Sequence, residues 1–159
     1  MNLSDNSIHY EGSRYLAQAL KVNKSLRHLN LKLNRIDDKG GAKLCTDLLN
    51  NNSELESLSL SSNSLGAMFC ESLAEFLKLN RTIKQLDISC NFIDDSNAST
   101  LKDSLESNTN IIDVDVRNNN LSEGIERDIN EIVTRNLLLS KKIPYQRVPE
   151  CKLSSTNTL

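Results

Sequence analysis

Tryptophan is missing from this 159-residue chain, and glycine (5), cysteine (4), proline (2) and histidine (2) are scarce. Each shortage removes a class of function. Five dispersed glycines supply no Gly-rich loop to cradle a phosphate. His9 and His28 stand alone, and Cys45, Cys70, Cys90 and Cys151 are never spaced C-x-x-C, so neither a zinc ligand set nor a regular disulfide framework is expected. Reduced structural thiols are expected instead, with Cys45 and Cys90 at positions that take small buried residues. No apolar run approaches the ~20 residues of a membrane span. The opening Met1-Asn2-Leu3-Ser4-Asp5-Asn6 is polar, unlike a secretory leader, which predicts an intracellular protein. Net charge is -2, with both signs interspersed, and that argues against nucleic acid, which needs a concentrated basic face. No nucleophile, base or carboxylate pair assembles into a catalytic set, so no enzyme activity, cofactor, metal or small-molecule substrate is expected.

What the chain does have is periodicity. Asn6, Asn34, Asn63, Asn91 and Asn119 follow one another at 28, 29, 28 and 28 residues. Around them run Leu26-x-x-Leu29-x-Leu31-x-x-Asn34-x-Ile36, Leu55-x-x-Leu58-x-Leu60-x-x-Asn63-x-Leu65, Ile83-x-x-Leu86-x-Ile88-x-x-Asn91-x-Ile93 and Ile111-x-x-Val114-x-Val116-x-x-Asn119-x-Leu121, after a shorter Met1-x-Leu3-x-x-Asn6-x-Ile8. The alternation before each asparagine is that of a half-buried strand. The stretch after it carries apolar residues four apart: Leu16 and Leu20, Cys45 and Leu49, Leu73 and Leu77, Leu101 and Leu105, Ile129 and Val133. That spacing predicts a helix with one buried stripe. A strand plus a helix at this period is a leucine-rich repeat, stable only against its neighbours. The fold class is therefore an α/β solenoid, with parallel strands on the concave face and helices on the convex face.

The polar residues in register have structural roles to fill. The amide of each repeated asparagine is expected to serve the backbone of the turn that ends its strand, chaining turn to turn. Asn23, Asn52, Asn80, Asn108 and Asn136 follow the helices and are expected to end them in a left-handed conformation. Asp37-Asp38 and Asp94-Asp95 are expected to cap the helices they precede. Tyr10 is placed in a loop and Tyr15 in a helix. A last helix from about 123 to 142 carries Glu126, Arg127, Asp128, Glu131 and Arg135 on its outer side, as a terminal cap would. Residues 1–142 thus form about five repeats and 143–159 a polar tail expected to be disordered. With no polar cap before Met1, the chain is expected to be the carboxyl-terminal part of a longer protein.

Side chains between the strand leucines should project from the concave face in lateral ladders ~4.8 Å apart. These are Asn30, Ser59, Asp87, Asp115; His28, Ser57, Gln85, Asp113; and Lys32, Ser61, Ser89, Arg117. The face is polar, becomes more acidic toward its carboxyl end, and lacks the aromatic anchors common at binding hot spots. Its candidate partner-binding set is His28, Asn30, Lys32, Ser59, Gln85, Asp87, Asp113, Asp115 and Arg117, against the competing reading of a merely solvated sheet. A second candidate is the basic end formed by Arg135, Lys141, Lys142 and Arg147, where the competing role is to complement the helix dipole.

The repeats resemble the ribonuclease-inhibitor-like class of leucine-rich repeats over residues 1 to about 142. A closer resemblance is to the leucine-rich-repeat subunit of the nexin-dynein regulatory complex, the t-complex-associated testis-expressed family. It is carried by Leu29-Asn30-Leu31-Lys32-Leu33-Asn34-Arg35-Ile36-Asp37-Asp38-Lys39-Gly40-Gly41-Ala42-Lys43-Leu44-Cys45, by Leu79-Asn80-Arg81-Thr82-Ile83 with Ile88-Ser89-Cys90-Asn91-Phe92-Ile93, and by Asn108-Thr109-Asn110-Ile111-Ile112-Asp113-Val114-Asp115-Val116-Arg117. Ser96-Asn97-Ala98 departs from the glycines that family carries. The resemblance implies a non-enzymatic subunit of an axonemal assembly in cilia or flagella, acting on dynein by binding other subunits. Two other readings stay open: a GTPase-regulatory repeat protein, and the sensor segment of a larger immune-type receptor.

Overall fold

The computed structural model describes residues 1–49 and 54–143. Helices and strands alternate as α1 (His9–Val22), β1 (His28–Asn30), α2 (Asp37–Leu49), β2 (Ser57–Ser59), α3 (Ala67–Leu79), β3 (Gln85–Asp87), α4 (Asp95–Ser107), β4 (Asp113–Asp115) and α5 (Glu123–Ser140). The strands lie in one parallel sheet in sequence order. Each step of register is one repeat, with Leu29 beside Leu58, Leu58 beside Leu86 and Leu86 beside Val114. Asn2 extends the pairing by a parallel bridge to Asn30.

A strand this short buries only its central side chain, and the neighbours on either side face out. The rest of each unit supplies the core. Leu31, Leu60, Ile88 and Val116 turn inward past the strands, Ile36, Leu65 and Ile93 close the turns, and Leu20, Leu44, Leu73, Leu101 and Ile129 come down from the helices into one continuous cluster. Phe69 and Phe76 on α3 are fully buried, worth roughly 2–3 kcal/mol each. Close helix packing also depends on a missing side chain, because a Cβ on Gly41 would lie 2.6 Å from Leu65 and 2.9 Å from Phe69.

The asparagines hold the turns. The Asn63 side chain is buried and accepts from the backbone N–H of Asn34 (2.9 Å) and Ile36 (3.3 Å) in the unit before it. Its amide group donates to the carbonyls of Leu31 (2.8 Å), Leu60 (3.1 Å) and Ser61 (3.1 Å). Asn91 repeats the pattern onto Asn63 and Leu65, and Asn34 onto Asn6 and Ile8. Asn119 accepts from Ile93 and donates to Ile88 and Val116. The residue before each ladder asparagine is left-handed: Asp5 (φ 58°), Leu33 (58°), Ser62 (57°), Cys90 (55°) and Asn118 (58°).

Several sequence expectations are corrected here. Cys90 is exposed, because the left-handed residue of the turn points its side chain outward, whereas Cys45 and Cys70 are buried. Burial pushes the Cys70 thiol up to about 12, and Cys45 higher still, so both stay protonated. Tyr10 lies within α1 rather than in a loop. The helix-terminal asparagines are extended and not left-handed: Asn23 has ψ 121°, Asn80 137° and Asn108 111°. Their side chains accept from the second and third residues onward, as Asn80 does from Thr82 and Ile83, which turns the chain directly into the next strand. Asn136 sits inside α5, buried, and donates to the Asn108 and Ile111 carbonyls. Asn52, the side chain of Leu49 and the tail from residue 144 on lie outside the described residues.

The paired aspartates divide their work. Asp37 caps its own helix at Gly40 and Asp94 caps its own at Asn97. Asp38 instead reaches the next unit, accepting from Gly66 (2.8 Å), Met68 (3.0 Å) and Phe69 (2.8 Å) at the start of α3, and Asp95 accepts from Ser122 (2.7 Å) ahead of α5. A carboxylate at a helix amino terminus is favourable wherever in the sequence it originates. Ion pairs add cross-repeat ties, with Glu56 held between Arg27 (2.5 Å) and Lys84 (2.7 Å), and Asp128 on Lys102 (3.1 Å).

Replacing Asn63 by alanine would orphan two buried N–H groups and up to three carbonyls. We expect Asn63→Ala to lower stability by about 3 kcal/mol in urea titrations. A loss below about 1 kcal/mol would show that the ladder does not bind the turns together.

Candidate functional site

The sheet register builds the concave face. His28, Ser57, Gln85 and Asp113 align in one row, and Asn30, Ser59, Asp87 and Asp115 in the next. His28, Gln85 and Asp113 are exposed, while the second row is half-buried. Both rows therefore stand as read from the repeat. The third row divides: Lys32 and Arg117 at its ends are exposed, but Ser61 and Ser89 between them are buried and joined at 3.0 Å. That row lies past the strand ends, where the chain has begun to bend inward toward the ladder asparagines.

Local hydrogen bonds stiffen this face. Asn30, Asp87 and Asp115 each accept from the backbone N–H two residues on, at 3.0–3.1 Å, which terminates the strand. Asp87 also accepts from the hydroxyls of Ser59 (2.8 Å) and Ser89 (2.7 Å), so both of its oxygens are engaged. Arg117 forms a two-pronged pair with Asp115 at 3.0 and 2.7 Å. Its hydrogen bonds hold the Asp115 carboxyl below the ordinary carboxylate range against partial burial, and the same pair raises the guanidinium.

A shallow concavity of about 360 Å³ lies over β2 to β4, among Ser59, Gln85, Asp87, Asp113, Asp115 and Arg117. A second, of about 210 Å³, continues from Asp113 and Arg117 to Glu126 and Asn130 on α5. The sequence places Glu126 on the outer side of the cap helix. With Ile125, Ile129 and Ile132 turned to the core, it instead flanks the last strand. Only the phase of α5 against β4 decides this, and no sequence signal marks it. The carboxyl half of the face thus gathers Asp87, Asp113, Asp115 and Glu126 around one arginine, while His28 and Lys32 mark the other half. It is an open, polar, charge-graded surface suited to a macromolecular partner rather than an enclosed pocket for a small ligand.

The basic carboxyl end is less unified. Arg135 donates to the Glu106 carbonyl (3.1 Å) and to Asn136 (3.0 Å), tying α5 to the end of α4. Lys141 and Lys142 are exposed just beyond Ser140, and Arg147 lies outside the described residues. Among the described residues no group of three or more His, Cys, Asp or Glu is placed to hold a metal ion, and no helix is long and apolar enough to cross a membrane.

The Asp115 pair has a defined pH signature. Because its folded pKa is depressed, its contribution is present above the unfolded value of about 3.9 and is lost as pH falls through the folded value. With Arg117 largely exposed, we expect Arg117→Ala to lower stability slightly at neutral pH and not at all once Asp115 is protonated in both proteins. Urea titrations at the two pH values check this, and a carbon-detected NMR titration should return Asp115 to the ordinary range in the variant.

Comparison with known proteins agrees with this architecture. A family model described as "Leucine Rich repeat" matches residues 22–45 and 79–101. NACHT, LRR and PYD domains-containing protein 4B of Mus musculus is 39% identical over 74 residues, 46% of this chain and 9% of that protein. The ribonuclease inhibitor of Mus musculus is 34% identical over 73 residues, 46% of this chain and 16% of the inhibitor. The matched segment is therefore a small part of each relative. Among solved structures, the leiomodin-1 actin-binding site 2 superposes with a TM-score of 0.76 at 19% identity, covering 89% of this chain and 82% of that one. The tropomodulin C-terminal domain of Caenorhabditis elegans gives 0.54 at 13% identity, covering 84% and 96%. Repeat geometry and matches together identify the fold as an α/β leucine-rich-repeat solenoid with ribonuclease-inhibitor-like relatives.

Proposed function

We propose that this chain is a non-enzymatic scaffold that binds partner proteins across its concave face, as a structural and regulatory subunit of the axonemal nexin-dynein regulatory complex. The observation that carries the binding role is the register itself. It aligns exposed polar side chains from His28 to Asp113 over turns locked by buried asparagines, so the surface is presented in one shape before a partner arrives. The axonemal setting rests on the resemblance in the second repeat and in the stretch from Asn108 to Arg117. Partners are proteins, and the acidic half of the face favours a basic surface on them.

A second reading is actin binding. It is favoured by the superposition on the leiomodin-1 actin-binding site 2, and it shares the cytoskeletal location.

The test is fractionation of tagged full-length protein in a ciliated cell: detergent removal of membrane and matrix, then salt extraction and mass spectrometry of what co-extracts. Retention on the axoneme with regulatory-complex subunits is the expected result, whereas release into the soluble fraction without them would remove the axonemal assignment. Sedimentation with purified filaments tests the actin reading. The double reversal Asp113→Lys/Asp115→Lys should reduce partner recovery at least tenfold while the protein stays folded, because Asp113 is exposed and Asp115, although it ends β4 by accepting the Arg117 N–H, makes its remaining side-chain bonds to the exposed Arg117 guanidinium. A Lys141→Glu/Lys142→Glu variant that loses the partner while the Asp113/Asp115 variant keeps it would move the interface to the end of α5.

A further inference from the structure

Three large apolar side chains stand in solvent along one edge of the solenoid, where the strands run into the turns and helix starts. Leu33 is 49%, Met68 48% and Phe92 64% exposed. Each holds a repeat position that the other units give to a polar or small residue. Leu33 stands where they have Asp5, Ser62, Cys90 and Asn118, Met68 where they have Glu11, Lys39, Ser96 and Gly124, and Phe92 where they have Ser7, Arg35, Ser64 and Asn120. The fold therefore does not require an apolar group at any of the three. Leucine is even disfavoured at position 33, which is left-handed at φ 58°, a conformation that asparagine and aspartate adopt more readily.

The three come one each from consecutive units. Those units are tied in order by the Leu33 N–H to the Ser61 carbonyl, the Met68 N–H to the Asp38 carboxylate and the Phe92 N–H to the Leu65 carbonyl. Two strand spacings, roughly 10 Å, separate the first unit from the last. Charge is graded along the same edge. Lys32, Arg35 and Lys39, all in the unit of Leu33, are exposed and join none of the ion pairs among the described residues. The carboxylates near them are committed to the fold: Asp37, Asp38 and Asp94 accept N–H groups at helix starts, and Asp95 accepts from Ser122.

We propose that this edge is a docking surface for an amphipathic helix of a partner protein, laid along the stack with apolar residues over Leu33, Met68 and Phe92 and acidic residues beside Lys32, Arg35 and Lys39. Apolar residues at i, i+4 and i+7 of a helix cover about 10.5 Å along its axis, which matches two steps from unit to unit. An extended segment would need free backbone partners, and the turn N–H groups of Leu33, Ser62 and Cys90 are already spent on the next unit. The uncommitted cations set the sign of the partner and the direction in which its helix lies. This surface is separate from the acidic concave face, and the inference does not depend on what that face binds.

The probe is a fluorescein-labelled, alanine-based helical peptide of about 16 residues, with leucines at i, i+4 and i+7 flanked by glutamates, alongside the same peptide carrying lysines. Fluorescence anisotropy on the full chain should show the glutamate peptide binding roughly tenfold more tightly than the lysine one. At saturation it should also slow alkylation of Cys90, an exposed thiol in the same turn row as Leu33, as mapped by mass spectrometry. The triple variant Leu33→Asn/Met68→Ser/Phe92→Ser carries residues that other units already hold at these positions. It should weaken glutamate-peptide binding roughly tenfold while melting no lower than the parent. Lys32→Glu/Lys39→Glu should reverse the preference between the two peptides. A triple variant that binds as the parent does, or that melts lower, would overturn the proposal, the second because the three side chains would then be structural. Equal binding of the two peptides, or binding of neither, would overturn it too. So would self-association of the parent that the triple variant abolishes in sedimentation velocity, which would assign the edge to a second copy.

Discussion

One interaction sets the terms for the rest of this structure: the primary amide of a buried asparagine, repeated every 28 or 29 residues, bonded at once to its own turn and to the turn before it. A sharp bend into a helix leaves backbone N–H and C=O groups inside the protein with no strand to pair them, and each would carry a desolvation cost. Asparagine carries an acceptor and two donors on one short, planar group, so it satisfies both kinds. Aspartate lacks the donors, and a glutamine reaches too far. The left-handed residue before each asparagine is the local strain that this arrangement holds in place, even where the residue is leucine or cysteine.

The presented surface follows from that constraint. Locked turns keep three-residue strands in strict register, although strands of this length would pair only weakly alone. Register then converts a sequence period into rows of side chains on the concave face. Hydrogen bonds within those rows, such as Asp87 to Ser59 and Ser89, fix the polar groups that a partner would meet. Association would then cost less side-chain entropy, which matters on a face without large aromatic anchors. The helices pack behind the sheet and carry the neighbouring-unit ties, from Asp38 at the start of α3 to Asn136 beneath Asn108.

Some of this is legible in the order of residues. The strand rows from His28 to Asp113 and from Asn30 to Asp115 follow from the repeat alone, because alternation with a fixed period leaves one consistent stacking. The ladder role of Asn34, Asn63 and Asn91 follows from the chemistry of a primary amide beside a sharp turn. Other residues cannot be read in this way. Asp38 has the sequence position of a cap for its own helix and serves the next one, and Cys90 occupies a repeat position that suggests burial and is exposed. Glu126 lines the face although its helix reads as an outward-facing cap, and the asparagines after the helices are extended turn formers where a left-handed end is the ordinary expectation.

What the sequence determined by itself is the repeat: its period, the element order within it, the leucine and isoleucine positions that face the core, and therefore an α/β solenoid with a polar concave face. These are local properties, carried by alternation and helical spacing within a single unit. What only the tertiary structure decided is how adjacent units meet: which turn each aspartate and asparagine reaches, how α5 is rotated against the last strand, and which thiol is left in solvent. Those outcomes depend on distances between groups about 28 residues apart along the chain. Such distances are set to within a hydrogen bond's tolerance only when the stack has closed.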